Sequence, residues 1–204
     1  MNKRILMYLV FLFSFSELAA QEKLSRFAIG FNYGFGSEFS NTDYTFTNHF
    51  YKLQLYYNLK EGKHFQYQIL IQPEINFAKH QLLNFYFVKP DSPYFEEKRE
   101  RYTKLKDVKE YVLNIGFLVR KPLSERCSFY ILGSIGPMIN DTETERMSEG
   151  FAFADVLAVG FSFKFKKMQF DIRQEVRHVS NGGLSDTNAG YNTKNFDFGF
   201  LYPL

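Results

Sequence analysis

The chain has 204 residues and a mass of 24.1 kDa, with 45% apolar and 19% aromatic side chains, which excludes a disordered chain and fits one compact domain. Phe (25) and Tyr (14) without any Trp shift the balance from a helical bundle toward sheet. The net charge of +3, from 25 basic and 22 acidic residues, gives no single-sign field, so a nucleic-acid partner is not expected.

Cys127 is the single cysteine, so neither an intrachain disulfide nor a thiolate metal cluster can form, and a buried, small apolar role is expected for it. At the N-terminus, Lys3 and Arg4 precede an apolar run from Ile5 to Phe15, and Leu18-Ala19-Ala20 supplies a small-residue cleavage context. That run is far shorter than the roughly 20 residues of a spanning helix. Residues 1–20 therefore read as an export signal and residues 21–204 as a single mature domain. No cysteine stands at the cleavage point to carry a lipoprotein anchor, and the C-terminus has no lipidation or retention signal.

From Phe27 onward the chain alternates with a period of two. Phe27, Ile29, Phe31, Tyr33 and Phe35 stand against Ala28, Gly30, Asn32 and Gly34. The pattern returns at Tyr51–Leu59, Phe65–Gln72, Tyr111–Arg120, Phe151–Phe165, Phe170–Arg177 and Phe196–Tyr202, while Ser128–Ile139 is assigned as a strand mostly from its spacing. Opposite the large apolar face lie Gly, Ala, Ser, Asn and charges of both signs, suited to a narrow polar lumen and unsuited to the exterior of a soluble barrel. Strands of about nine to thirteen residues match tilted crossings of a bilayer. The expected fold is thus all-β, an eight-stranded antiparallel transmembrane β-barrel, closed so that no edge is left.

Connector lengths agree. Long connectors near residues 36–49, 78–107, 140–149 and 181–193 alternate with short ones near 60–63, 121–126 and 166–167, the asymmetry of extracellular loops and periplasmic turns. Both termini then lie on the periplasmic side. In the longest loop the run from Glu96 to Arg101, followed by Lys104 and Lys106, offers a place for anionic headgroups, although a solvated loop of mixed charge is the plainer reading. The terminal strand Phe196, Phe198, Phe200, Tyr202, ending at Leu204, is similar to the signal read by outer-membrane assembly machinery, without its usual last aromatic.

His49, His64, His80 and His178 lack metal-ligand spacing, so no metal is expected. His178 stands two residues from Ser180, which puts imidazole and hydroxyl on the face that carries Phe170, Ile172 and Val176, outward at the lipid boundary. Periodicity alone leaves two readings: a base with the nucleophile it activates, or a polar cap where a strand leaves the bilayer. Register adds a candidate partner. If Lys166-Lys167 is a two-residue hairpin turn, Phe165 pairs with Met168 and Asp155 falls opposite His178. An acid in an otherwise apolar outward row needs a partner or an interfacial position.

The stretch Arg177-His178-Val179-Ser180-Asn181-Gly182-Gly183, with Asn188-Ala189-Gly190-Tyr191-Asn192 after it, resembles the outer-membrane lipid A 3-O-deacylase family (PagL type, acyloxyacyl hydrolase-like). The resemblance implies an eight-stranded barrel that removes an acyl chain from lipid A at the outer leaflet, a carboxylic ester hydrolase needing no cofactor. It implies His178 as base and Ser180 as nucleophile, with Asn181, Gly183 and Asn188 where oxyanion-stabilising or loop-shaping groups are found. The sequence departs from the family at Asn192, whose position holds a glutamate that orients the histidine. An asparagine oxygen can accept the imidazole N–H but brings no charge. Asp155 and Asn192 stand as equal candidates for the orienter. The implied partners are lipopolysaccharide, the outer membrane and its assembly machinery, with homodimer formation left open. The competing function is a non-catalytic structural or adhesive barrel.

Overall fold

The computed structural model describes residues 25–62 and 64–204; residues 1–20, expected to be an export signal, lie outside them. Eight antiparallel strands form a closed barrel: β1 (Phe27–Glu38), β2 (Tyr44–Glu61), β3 (Gln66–Leu82), β4 (Lys106–Pro122), β5 (Cys127–Asn140), β6 (Gly150–Phe165), β7 (Met168–Ser180) and β8 (Tyr191–Pro203). Each strand pairs with its sequence neighbour, and β8 returns to β1, where Phe31 faces Phe200 and Tyr33 faces Phe198. Closure follows from the even strand number and leaves no edge to pair outside the fold.

Alternation sorts the side chains as the sequence predicts. The rows of Phe, Tyr, Leu and Ile point outward and are exposed, and the alternate residues are buried inside. Exposure on this scale would be untenable in water and is the ordinary condition of a lipid-facing wall.

Five strands exceed the expected lengths: β2 has 18 residues, β3 and β4 have 17, β6 has 16 and β5 has 14. Residues 44–49, 78–82 and 106–107, expected in long connectors, are strand. There the outward side chains turn polar (Thr45, Thr47, Lys79, Asp107), and Lys79 pairs with Asp107 at 2.8 Å, exposed. The inward ones stay apolar, with Tyr44, Phe46, Ala78 and Val108 joining Met138, Met147 and Tyr191 in a buried cap. Pairing therefore continues beyond the apolar belt because the lumen still needs covering.

The lumen is filled. At the short-turn end Tyr56, Leu70, Leu118, Tyr130 and Leu132 pack together. Gly160 makes room for Tyr130, since a Cβ there would stand 2.2 Å from the ring Cζ. Between the two apolar layers, Lys52 Nζ lies 2.8 Å from Glu175, 3.5 Å from Asp197 and 3.7 Å from Glu74, and Arg177 lies 2.8 Å from Glu110. Charges of both signs on alternate strand positions thus neutralise one another inside the barrel.

Two local expectations are corrected. Cys127 is half-buried rather than buried, because it opens β5 beside a short turn. The charge run of the longest loop is not irregular: it forms helix α1 (Phe95–Tyr102), with Glu96 and Glu97 in its first turn and Arg99 and Arg101 in its last, in keeping with the helix dipole. Tyr102 packs with Leu82 and Val88 beneath the helix, and burial together with Glu143 pushes its hydroxyl up to about 12.

Candidate active site

The β6–β7 hairpin has the register the sequence predicts. Phe165 faces Met168 across Lys166-Lys167, and Lys166 adopts the left-handed conformation of a tight turn. Counting back along the ladder puts Asp155 opposite His178, and the β7–β8 ladder puts Asn192 opposite His178 on its other side. Asp155, His178 and Asn192 thus form one outward-facing row over three strands. Of the two flanking residues, Asn192 makes the contact, with its Oδ1 2.8 Å from His178 Nδ1, while the Asp155 carboxylate makes no hydrogen bond among the described residues. An amide oxygen only accepts, so the tautomer of the neutral ring that fits this bond carries its proton on Nδ1 and its lone pair on Nε2.

Ser180 closes β7 on the same face, half-buried, opposite Phe153 of β6. Its hydroxyl has no hydrogen bond among the described residues and is free to turn toward the imidazole. Phe153 and Phe151 meet edge to face, with centroids 5.0 Å apart, beside it.

Gly190 sits just before β8, in the place that continues the ladder opposite Ser180. Its φ is +63°, and a Cβ there would stand 2.7 Å from Val179 O, 3.5 Å from His178 Cε1 and 3.7 Å from Ser180 Cβ. The backbone therefore passes against both candidate reacting groups, and only glycine fits. Gly190 belongs to the sequence motif, but no role for it was readable there. A glycine directly ahead of the final alternating segment is the signal that marks it.

The segment between β7 and β8 shapes itself around Asn181, which is buried. Asn181 Nδ2 donates to Thr187 O at 2.9 Å and Oδ1 accepts the Gly183 N–H at 2.9 Å; the Asn181 N–H donates to Asn188 Oδ1 at 2.8 Å. These bonds commit the Asn181 side chain and the Gly183 amide to the loop. Among the described residues, Asn188 Nδ2 alone of these amide groups has no protein acceptor. The β5–β6 connector, residues 141–149, backs the same segment: Met147 bridges Asn188, and the Ser148 and Thr187 backbones are joined at 3.2 Å. Among the described residues, no group of three or more His, Cys, Asp or Glu is arranged to hold a metal ion.

Fold and site together define an integral membrane β-barrel that presents a hydroxyl and an oriented imidazole on its lipid-facing wall. The family model for lipid A 3-O-deacylase (PagL) matches residues 94–200, just over half of the chain and the whole span from α1 through the candidate site. The chain belongs to the lipid A 3-O-deacylase family and is an integral outer-membrane barrel.

Among solved structures, the outer membrane enzyme PagL is similar at 11% identity and a TM-score of 0.56, covering 86% of this chain and 99% of that one. Neisserial surface protein A is similar at 10% identity and a TM-score of 0.51, covering 90% of this chain and all of that one. At such identities the likeness speaks for the fold. No curated protein sequence matches the chain.

Proposed function

We propose that this protein hydrolyses an ester-linked acyl chain of lipid A at the outer leaflet, with Ser180 as nucleophile, His178 as base and Asn192 as the residue that orients His178. The observation that carries the reading is the His178–Asn192 hydrogen bond, since the amide oxygen accepts from Nδ1–H, holding the proton there and leaving Nε2 to act as a base.

In this mechanism the serine proton passes to Nε2 as Oγ attacks the ester carbonyl. The resulting imidazolium then protonates the departing sugar alcohol, and water, activated in the same way, releases the fatty acid from the acyl-serine. The negative oxygen formed during attack needs a donor, and Asn188 Nδ2 is available. Asp155 does not orient the ring in this reading. An ester at the bilayer surface can reach the site from the lipid itself, because the row faces outward rather than into the filled lumen.

Asn192 favours a second reading. With a neutral amide where the family has a carboxylate, the imidazolium lacks a countercharge, and a non-catalytic barrel would tolerate this more readily than an enzyme. Mass spectrometry of lipid A from cells with the gene, without it and with the Ser180→Ala variant separates the two. The deacylase reading expects loss of one acyl mass only with the unaltered gene. Identical lipid A in all three overturns it.

A further inference from the structure

We propose that Arg146 is a positioning residue for hydrolysis, a fixture that holds the Gly190 backbone against His178 and Ser180. The proposal rests on the deacylase reading and adds to it a residue that the motif does not contain.

Arg146 grips one short segment from two sides. Its carbonyl accepts the N–H groups of Ala189 at 2.9 Å and Gly190 at 3.2 Å. Its side chain donates back, from Nε to Gly190 O and from Nη2 to Ala189 O at 3.4 Å. The guanidinium also lies 4.8 Å from the Tyr44 ring, at the start of β2, and 5.1 Å from the Phe87 ring, in the β3–β4 connector. Two connectors of the barrel and the start of β2 thus converge on one planar cation.

The residues around Arg146 are themselves anchored. Glu145 accepts from buried His80 at 2.8 Å, Met147 is buried in the apolar cap, and Thr144 Oγ1 accepts the Arg146 N–H at 3.2 Å and the Met147 N–H at 3.1 Å. The fixture is therefore tied to the barrel and does not drift with the loop it holds.

Its need follows from Gly190. Only glycine allows the close approach, yet glycine is the residue whose backbone most readily leaves a given conformation. At this position such freedom would change the space between imidazole and hydroxyl, and a displacement of about 1 Å at a reacting centre can cost on the order of a hundredfold in rate. The ladder of β7 with β8 ends at Val179 and Tyr191, so strand pairing does not hold Gly190. A lysine could satisfy one carbonyl, but it cannot reproduce the fork or the stacking between two rings.

The test uses the full-length protein in detergent micelles with lipid A as substrate. For Arg146→Ala and Arg146→Lys the expected result is a fall in kcat of about ten- to a hundredfold with KM within about twofold. Amide hydrogen exchange in residues 185–192 should accelerate, and methylguanidinium should partly restore turnover of the Ala variant. Should the Ala variant not fold, the Lys variant carries the comparison.

Unchanged kcat in a folded variant overturns the proposal, as does a rise in KM alone, which would make Arg146 a substrate contact. If the unaltered protein releases no acyl chain, the deacylase reading fails first and the proposal falls with it, an outcome distinct from an active parent with an equally active variant.

Discussion

His178 Nδ1 lies 2.8 Å from Asn192 Oδ1 across the β7–β8 ladder, whereas Asp155, directly opposite the same histidine across β6–β7, makes no bond to it. Position in a ladder makes two side chains neighbours without making them partners.

This difference orders three substitutions. Asn192→Ala removes the acceptor that fixes the tautomer and is expected to lower kcat by about two orders of magnitude or more, since loss of such an orienter can cost on the order of ten-thousandfold. Asp155→Asn should leave kcat within about threefold, because it breaks no bond of the site. Asn192→Glu should raise turnover by adding a charge beside the imidazolium. Steady-state release of fatty acid from lipid A measures all three, and a larger loss in Asp155→Asn than in Asn192→Ala would reverse the assignment.

Ser180→Ala and His178→Ala are each expected to reduce deacylation to background, because nucleophile and base serve one covalent step and their losses do not add. Neither side chain contributes to the lumen or to the strand ladder, so both variants should retain the heat-modifiable migration of a folded barrel in detergent gels. Activity retained in both removes them from the chemistry.

The chain made its barrel legible because lipid outside and a packed lumen inside impose opposite demands on successive residues, from Phe27 to Tyr202. The same physics hid the strand ends. Where Thr45, Thr47 and Lys79 leave the apolar belt the outward signal disappears, although pairing continues. The hairpin register across Lys166-Lys167 was readable to the residue, and with it the row that contains Asp155 and His178. Which neighbour His178 bonds was not, since that depends on side-chain reach. Arg146 and its hold on Gly190 depend on contact between loops far apart in the chain, for which no local periodicity exists.

The filled lumen makes two predictions. Arg177→Met leaves Glu110 without its 2.8 Å partner and Glu74 with Lys52 as its one remaining cation of two, and should destabilise the barrel by about 3–5 kcal/mol, read as a lower temperature for the gel shift. In planar bilayers the unaltered protein should show no steady conductance, since ion pairs and rings occupy its interior. Stable channel currents would contradict the packing described here.

The final strand closes the barrel by pairing with both β1 and β7. Deleting the last ten residues removes most of β8, exposing two edges and the charges that face Asp197. Membrane insertion should be lost, assayed by protease resistance and heat-modifiability in isolated outer membranes, whereas deletion of Leu204 alone should be tolerated in the folded barrel. Normal insertion of the longer deletion would show that closure does not depend on this segment.

Gly190→Ala probes the site without removing any of its functional groups. The added methyl meets Val179 O at 2.7 Å, a backbone atom that cannot swing away, and the φ of +63° costs an alanine roughly 1–2 kcal/mol. The strain should be relieved locally, because the glycine lies outside the strand ladder and the barrel holds without it. Relief then means that the 188–190 segment moves away from His178 and Ser180. We expect kcat to fall by at least about tenfold with heat-modifiability unchanged, and hydrogen exchange to rise in residues 185–190 and nowhere in the strands. Combined with Arg146→Ala the loss should be no greater than that of the more severe single change, since both release the same segment. Losses that multiply instead would mean that Gly190 and Arg146 act on the reaction separately.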